Sequence, residues 1–238
     1  MVMNMKNLPS HVAIIMDGNR RFAKRLMKKP WKGHEWGAKK IASVIEWCKE
    51  LGIKYITIYA LSIQNFDRPK REFNFLMKLF EKEFLALCNP NHKVHKYKVR
   101  VKAIGRIRLL PKRVQSAIKK AEKATKKYKE CFLNISIAYG GQEEILDMIK
   151  KIIKKVSKEK LKLEDVDKNL IKNNLYSDFP YPDLIIRTGN RQRLSNFLLW
   201  QSAYSEIFFV KKMWPEFSKN DFLSVIEEFQ ERKRSFGR

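Results

Sequence analysis

The chain has 238 residues, of which 44% are hydrophobic and 12% aromatic, so it can bury one sizeable core, and intrinsic disorder is excluded. Lysine and arginine number 51 against 25 aspartate and glutamate residues, which gives a net charge of +26. That charge is compatible with a nucleic-acid-binding protein, with a protein that handles anionic substrates at an anionic membrane surface, and with a basic surface that has no target. No uncharged apolar stretch reaches the roughly 18 residues of a transmembrane helix, so none is predicted.

Short β-branched runs alternate along the chain with longer segments of helical period, which is the pattern of a parallel sheet covered by helices. In chain order the sequence predicts a strand at 12–16, a helix at 35–51, a strand at 55–61, a helix at 72–87, a strand at 99–104, a helix at 111–128, a strand at 132–138, a helix from 142, a strand at 183–187, a buried helix at 196–203, a strand at 206–210 and a helix at 219–233. No linker or repeat divides the chain. We therefore expect residues 1–238 to form a single α/β domain with a mostly parallel central sheet of about six strands flanked by helices.

The cysteines and the amino-terminal segment indicate a cytoplasmic protein. Cys48, Cys88 and Cys131 are far apart and odd in number, so neither a disulfide framework nor a metal-ligand spacing is visible. The apolar run at 12–16 is too short for the apolar region of a signal peptide. We expect a cytoplasmic protein that is soluble or peripheral on the cytoplasmic face of a membrane.

Polar loops follow three of the predicted strands, at 17–24, 62–69 and 188–195. Ligands of open α/β sheets bind outside the carboxyl ends of the strands, so these loops are expected to share one rim. The rim would carry Arg20, Arg21, Arg68, Arg187, Arg191 and Arg193, with Asp17 and Glu206 as possible metal ligands. Guanidinium groups suit phosphate oxygens, and Mg²⁺ takes few protein carboxylates. The pattern predicts a site for Mg²⁺-bridged diphosphates, while an ordinary Asp17-Gly18 turn with solvated arginines stays open.

Five motifs, in this order, resemble the signature of the cis-prenyltransferases, the undecaprenyl and dehydrodolichyl diphosphate synthase family. They are His11-Val-Ala-Ile-Ile-Met-Asp-Gly-Asn-Arg-Arg-Phe-Ala-Lys24, Gly33-His-Glu-Trp-Gly37, Tyr59-Ala-Leu-Ser-Ile-Gln-Asn-Phe-Asp-Arg-Pro69, Asn134-Ile-Ser-Ile-Ala-Tyr-Gly-Gly141, and Pro182-Asp-Leu-Ile-Ile-Arg-Thr-Gly189 followed by 193–206. The resemblance runs from about residue 8 to the C-terminus. The Arg-Arg-aromatic run at 20–22 is similar to the archaeal and eukaryotic branches.

The resemblance implies a Mg²⁺-dependent enzyme that adds isopentenyl diphosphate to an allylic primer, farnesyl or geranylgeranyl diphosphate, and makes a long-chain polyprenyl diphosphate for glycosyl carrier lipids. It also implies a homodimer. By resemblance, Asp17 and Glu206 bind Mg²⁺, and the allylic diphosphate is held by Gly18, Asn19, Arg20, Arg21 and His34 while its isoprenoid portion packs on Phe22. The resemblance also implies that isopentenyl diphosphate is held by Arg187, Arg193, Ser195 and Arg68. The two reacting substrates are positioned by Asn65, Ser62 and Phe66. Asp17 and Asn65 are the implied catalytic residues.

Two positions depart from the family pattern. Pro30 stands where the family has arginine, and Lys28, Lys29 or Lys32 would have to substitute. Asn190-Arg191-Gln192 replaces the Gly-Glu-His of bacterial members, so no histidine is available there as an additional metal ligand.

The growing product needs an apolar tunnel, although ordinary core packing explains the same residues. The expected lining is Ala60, Leu61, Phe75, Leu76, Leu79, Phe80, Leu133 and Ile135. His92 and His95 form an H-x-x-H pair without cysteine or carboxylate neighbours, so no metal site is predicted there.

Two other functions compete with the enzyme. The basic residues are spread over many helices and form no recognised nucleic-acid module, so we expect no nucleic-acid partner. A catalytically silent subunit is disfavoured because Asp17, Asn65, Arg187, Arg193 and Glu206 are present together. An anionic membrane surface is a further expected partner, contacted by lysines of the predicted helix at 119–128 and by those at 150–155.

Overall fold

The computed structural model describes residues 7–158 and 161–232. Its centre is one six-stranded sheet in which every neighbouring pair of strands is parallel. The strands are β1 (His11–Ile15), β2 (Tyr55–Ser62), β3 (Val99–Ile104), β4 (Cys131–Tyr139), β5 (Leu184–Arg187) and β6 (Glu206–Phe209). Their order across the sheet is β3-β4-β2-β1-β5-β6. The predicted α/β class and its six strands are confirmed.

The helices of the described residues are α1 (Asn19–Arg25), α2 (Gly33–Glu50), α3 (Lys70–Ala86), α4 (Lys93–Lys96), α5 (Lys112–Thr125), α6 (Gly141–Val156), α7 (Lys168–Asn174) and α8 (Lys219–Glu231). In the part of the chain described, no helix has the length and apolar character needed to cross a bilayer. The final predicted helix ends at Glu231, and Lys233 of that prediction lies outside the described residues.

The predicted helix at 196–203 is wrong. These residues form a series of turns, and Ser195, Asn196 and Leu198 have φ angles of 51°, 65° and 46°. An α-helix requires negative φ at every residue, and left-handed backbone costs about 1–2 kcal/mol per residue. The apolar character of the segment has another origin, since Phe197 and Leu198 are buried against the sheet.

Both faces of the sheet are covered, which explains why the inner strands β1, β2, β4 and β5 are mostly apolar. All five residues of β1 are buried. Val12 and Ile14 pack into the larger core with α2, α3, α5 and α8, while Ala13 and Ile15 pack on the opposite face with Phe197 and Tyr139.

The strand order locates the expected binding site. From β1 the chain proceeds to β2 on one side, whereas β5 lies on the other side of β1 and leads to β6. The order of the strands therefore reverses between β1 and β5, and ligands of open α/β sheets bind at such a point, beyond the carboxyl ends of the strands. The loops that follow β1 and β5 meet there.

Candidate active site

The loop that follows β1 carries a carboxylate, Asp17, fixed at the end of the strand. Its Oδ1 atom accepts the backbone N–H of Gly18 at 2.6 Å, and its Oδ2 atom accepts a guanidinium N–H of Arg187 at 2.9 Å. Gly18 has a φ of 103°, and a Cβ atom there would lie 2.7 Å from the Cβ atom of Met213, so the turn requires glycine. The Asp17 side chain is 30% exposed and remains accessible to a ligand.

The guanidinium group of Arg187 links this carboxylate to the loop after β5. Arg187 is almost completely buried, and it also donates to the hydroxyl of Ser195 at 2.7 Å and to the backbone carbonyl of Arg193. The Nε atom of Arg193 donates to the same Ser195 hydroxyl at 3.2 Å. Because a buried charge is stable only when it is paired, Asp17 holds Arg187 in place, and the four residues form one connected unit.

A second charged cluster centres on Glu72, the third residue of α3, whose side chain is 3% exposed. Its Oε1 atom accepts a hydrogen bond from Nη1 of Arg68 at 2.9 Å, and its Oε2 atom lies 3.4 Å from Nη2 of Arg20. The two arginines come from different loops, so one buried carboxylate ties the segment after β2 to the start of α1.

His34, the second residue of α2, lies beside the second cluster, with Nε2 3.4 Å from Nη1 of Arg68. Desolvation of the ring, and then the positive charges of Arg68 and Arg20, lower the pKa of His34 from 6.5 to about 3. The imidazole is therefore neutral at neutral pH, and it can donate to or accept from a ligand. An anion bound at this point would raise the pKa of His34, because it would offset the two guanidinium charges.

A cavity of about 420 Å³ extends from the rim between the sheet and the helices α2 and α3. Its walls are mostly apolar and include Ile58, Ala60, Leu133 and Ile135 from the sheet, Ala38, Ile41, Ala42 and Ile45 from α2, and Leu76, Leu79, Phe80, Phe84 and Leu87 from α3 and its end. Glu83 and His92 also line the cavity. Two residues expected in a tunnel lie outside this lining. Leu61 is buried in the core, and Phe75 packs against Trp31 with ring centroids 6.4 Å apart.

Nine of the predicted site residues line the cavity together, namely Asp17, Asn19, His34, Ser62, Asn65, Arg68, Arg187, Arg193 and Ser195. Arg20 and Arg21 flank it: Arg20 contacts Glu72, and Arg21 donates to the Gly189 carbonyl at 2.5 Å. The structure does not bring Phe22, Phe66 or Arg191 into the lining. Phe22 packs edge-on against Trp36 at 5.5 Å between centroids, Phe66 packs against Phe73 at 5.1 Å, and Arg191 is exposed.

The expectation that Glu206 shares a metal with Asp17 is wrong within one chain. Glu206 begins β6 and pairs with Leu184, which pairs with Val12, so it lies at the amino end of the sheet. Asp17 is five residues beyond Val12, or about 16 Å along the strand direction. The Glu206 carboxylate instead accepts a hydrogen bond from Arg232 at 2.6 Å.

Sequence reasoning missed two residues that organise the site. Glu72 was visible as the partner of Arg68 at i+4, a spacing that favours ion pairs at a helix start. Trp214 lines the cavity, donates from Nε1 to the Gly37 carbonyl at 2.9 Å, and donates its backbone N–H to the Asp17 carbonyl at 2.9 Å. The sequence pair Trp214-Pro215, which also resembles the family pattern, was the signal that could have indicated this contact.

The two histidines of the H-x-x-H pair have structural contacts at the start of α4. The Nδ1 atom of His92 accepts the backbone N–H of Val94 at 3.2 Å. His95 contacts the hydroxyl of Tyr128 at 2.9 Å and the carbonyl of Leu87 at 2.8 Å.

The lysines considered as substitutes for the arginine missing at Pro30 do not line the cavity. Lys32 pairs with Glu35 at 3.1 Å, Lys29 lies over the Trp31 ring, and Lys28 is exposed. The cations whose charge reaches His34 are Arg68 and Arg20. Arg20 is therefore the better substitute at this position.

The fold and the site together define a class of protein: a parallel α/β protein with an arginine-rich rim at the switch point of its sheet and an apolar cavity beneath. Such a site suits amphiphilic molecules with an anionic head and an apolar tail.

Comparison with known proteins agrees with this class. The family model described as "Putative undecaprenyl diphosphate synthase" matches residues 15–237. The chain is 54% identical over 232 residues to the tritrans,polycis-undecaprenyl-diphosphate synthase (geranylgeranyl-diphosphate specific) of Pyrococcus abyssi, covering 97% of this chain and 88% of that protein. It is 53% identical over 235 residues to the same-named enzyme of Methanocaldococcus jannaschii, covering 98% and 84%. The chain belongs to the undecaprenyl diphosphate synthase family, the cis-prenyltransferases.

A solved structure shows the same fold. Lavandulyl diphosphate synthase from Lavandula x intermedia, in complex with dimethylallyl diphosphate, superimposes with a TM-score of 0.92 at 37% identity, over 97% of this chain and 99% of that one.

Proposed function

We propose that the protein is a cis-prenyltransferase that adds isopentenyl diphosphate units to an allylic prenyl diphosphate and releases a long-chain polyprenyl diphosphate for use as a glycosyl carrier lipid. The observation that carries this proposal is the position of Asp17, Arg187, Arg193 and Ser195 on the rim of an apolar cavity. The rim offers cations and donors to two diphosphates, and the cavity offers an apolar space to a growing chain. The names of the relatives support the same reaction.

In this reaction the bond between the allylic carbon and its diphosphate breaks, and negative charge builds up on the leaving group. Arg20, Arg21 and neutral His34 bind that diphosphate, aided by the free backbone N–H groups at the start of α1. These donors are held in place before the substrate arrives, because Glu72 fixes Arg20 and the Gly189 carbonyl fixes Arg21.

The electrons of the isopentenyl double bond form the new carbon–carbon bond to the allylic carbon, and a proton then leaves to give a cis alkene. Arg193 and Ser195, supported by Arg187, bind the isopentenyl diphosphate, and Arg68 contacts it from the loop after β2. Asn65 and Ser62 line the same cavity as these residues. We assign to them the alignment of the two reacting carbons and assistance in removing the proton.

The donor set at the rim fits Mg²⁺. Asp17 offers a partly exposed carboxylate, and within the described ranges no group of three histidine, cysteine, aspartate or glutamate residues could hold a metal alone. Mg²⁺ is commonly bound by one or two carboxylates together with substrate phosphates and waters. Asp17 would hold the ion, which when bound supplies positive charge to the leaving diphosphate.

The primer and location follow from the same proposal. Geranylgeranyl diphosphate is the favoured primer over farnesyl diphosphate, because the relatives carry that specificity in their names. We place the enzyme in the cytoplasm and at the membrane face, where a product with a long apolar tail has to be released.

Incorporation of radiolabelled isopentenyl diphosphate into extractable polyprenyl product tests the proposed function. We expect product only when an allylic primer and Mg²⁺ are both present, with more product from geranylgeranyl than from farnesyl diphosphate, and none after chelation. A protein that incorporates no label with either primer would be a silent subunit. Tight binding of mixed-sequence DNA without turnover would replace the proposal by nucleic-acid binding.

Arg193→Ala distinguishes the two diphosphate sites. Arg193 is exposed, and among the described residues its guanidinium group is hydrogen-bonded to Ser195, so its removal leaves the fold intact. A lost charge-assisted contact of about 1.5–3 kcal/mol should raise the KM for isopentenyl diphosphate by roughly 10- to 100-fold, with a smaller effect on the KM for the primer. Steady-state kinetics with each substrate varied measure this. The reverse ordering would mean that the two sites have been exchanged.

We also propose that the enzyme is a homodimer. The support is an exposed apolar strip on α6, where Leu146, Ile149 and Ile153 recur at helical spacing and are 50%, 43% and 58% exposed. The parent should sediment as a dimer, and the double variant Ile149→Lys, Ile153→Lys should sediment as a folded monomer. Leu85→Lys, at an exposed apolar residue of α3, is the matched control and should remain dimeric. A monomeric parent contradicts the proposal.

A further inference from the structure

The segment from Lys24 to Lys29 connects α1 to the 3-10 turn Pro30–Lys32, and all six of its residues are exposed. Its centre is apolar, with Leu26 44% exposed and Met27 94% exposed. Four of the six residues are lysine or arginine, and Lys32 follows close by. The segment is thus an apolar tip surrounded by cations.

The backbone of the tip forms a regular helix end, but the residue at its left-handed position is unusual. The N–H of Lys28 donates to the Ala23 carbonyl at 2.9 Å, and the N–H of Met27 donates to the Lys24 carbonyl at 2.9 Å, which is the Schellman arrangement that ends a helix. Met27 has a φ of 53° at the position where this arrangement usually has glycine, because a Cβ atom is strained there. A large apolar side chain therefore occupies a strained position and projects into solvent. Neither the fold nor the helix end requires such a side chain there.

The cations around the tip are only partly paired. Arg25 pairs with Glu216 at 2.6 Å and Lys32 with Glu35 at 3.1 Å. Within residues 7–158 and 161–232, Lys24, Lys28 and Lys29 form no salt bridge. Three ammonium groups without a carboxylate partner among these residues thus stand beside two exposed apolar side chains, and that of Lys29 lies over the Trp31 ring.

The tip lies near the rim of the candidate active site. Trp31, which follows it, packs against Phe75 of α3, and the guanidinium group of Arg71 lies 5.9 Å from the centre of the Trp31 ring. Arg71 precedes Glu72, which holds Arg20 and Arg68. A surface that contacted the tip would therefore lie beside the opening of the site.

We propose that Leu26 and Met27 insert into the interfacial region of an anionic bilayer while Lys24, Lys28 and Lys29 contact its lipid headgroups. Apolar residues flanked by lysines bind anionic lipid surfaces, because the apolar side chains contact the acyl chains and the lysines contact the phosphates. A nucleic acid would satisfy the lysines and leave Met27 in water. This inference goes beyond the proposed reaction and does not depend on it. The proposed membrane contact is thus at the end of α1, whereas the sequence predicted it at lysines that lie on α5 and α6.

Met27→Gly is the decisive variant, because it removes the apolar side chain and relieves the left-handed strain without changing the charge. The measurement is co-sedimentation with vesicles of phosphatidylcholine alone or with 30% phosphatidylglycerol. The parent should bind the anionic vesicles, bind neutral ones weakly and dissociate in high salt. Met27→Gly should lower partitioning onto anionic vesicles by roughly tenfold, with an unfolding temperature equal to or above that of the parent.

Three matched variants complete the test. Leu109→Ser removes an exposed apolar side chain elsewhere on the surface and should bind as the parent does. Lys28→Glu with Lys29→Glu should abolish binding to anionic vesicles, whereas Lys119→Glu with Lys120→Glu should lower it far less. Equal partitioning of Met27→Gly and the parent would overturn the proposal, as would a parent that binds neither vesicle or that binds DNA in preference to anionic vesicles. Turnover of a short soluble primer, measured without vesicles, reports separately on the proposed reaction.

Discussion

Asp17→Asn is expected to reduce turnover by roughly 1,000-fold or more while the protein stays folded. The carboxylate lies at the carboxyl end of β1, bonded to Gly18 and Arg187 and still accessible from the cavity. Its loss would remove the proposed Mg²⁺ ligand and with it several kcal/mol of stabilisation of the leaving diphosphate. Asparagine retains the shape of the side chain and can still accept a hydrogen bond from Arg187. Single-turnover incorporation of isopentenyl diphosphate at saturating substrates is the measurement.

Folding has to be followed in the same variants, because Asp17 also pairs with the buried Arg187. Asp17→Asn and Asp17→Ala both leave that charge uncompensated. Asp17→Ala also removes the hydrogen-bond acceptor and should lower the free energy of unfolding by about 3 kcal/mol or more, so it cannot separate the two roles by itself. Asp17→Asn keeps an acceptor for Arg187 and should lower the free energy of unfolding by less. Asp178→Asn is the control, since Asp178 pairs with Lys102 at the surface and its side chain is 82% exposed. Turnover by Asp17→Asn close to that of Asp178→Asn would refute the metal-binding role.

The fold could be predicted from the sequence because the inner strands are apolar runs that lie between two covered faces, as β1 shows most clearly. The turns at 195–203 could not, because Phe197 and Leu198 have the composition of a buried helix, while the positive φ angles of Ser195, Asn196 and Leu198 depend on contacts made by the whole chain. The same limit applies to Met27, since its left-handed backbone is invisible in the sequence.

Topology predicted the site only where residues follow a strand, whereas His34, on α2, was predicted by the resemblance. Asp17 and Arg193 come after β1 and β5, so topology alone brings them together. Glu206 begins β6, and that position places it at the opposite end of the sheet. The rim argument and the resemblance both placed Glu206 beside Asp17, whereas the parallel register separates the two residues within one chain. Glu72 is the opposite case, a site residue that no motif marks. Its role comes from its burial between the segment after β2 and the start of α1.

Glu72→Gln is expected to destabilise the rim and to change how the protein responds to a diphosphate. The carboxylate is buried and contacts Arg68 at 2.9 Å and Arg20 at 3.4 Å. Loss of its charge leaves Arg68 without compensation, which should lower the free energy of unfolding by about 3 kcal/mol, the lower end of the range for a broken buried pair. The lower end is appropriate because Arg20 is 45% exposed and can be solvated.

A bound diphosphate would supply the negative charge that Glu72→Gln lacks. Inorganic diphosphate should therefore raise the unfolding temperature of the variant by more than it raises that of the parent. Turnover should fall at least tenfold because Arg20 and Arg68 are no longer held in position by one carboxylate. Glu50→Gln is the matched control. Glu50 pairs with Lys219 at the surface, and such pairs contribute about 1 kcal/mol or less. Thermal unfolding with and without diphosphate separates the outcomes. An equal rise in variant and parent would show that Glu72 has only a structural role, because the charge of a purely structural carboxylate has no reason to be replaced by that of a ligand.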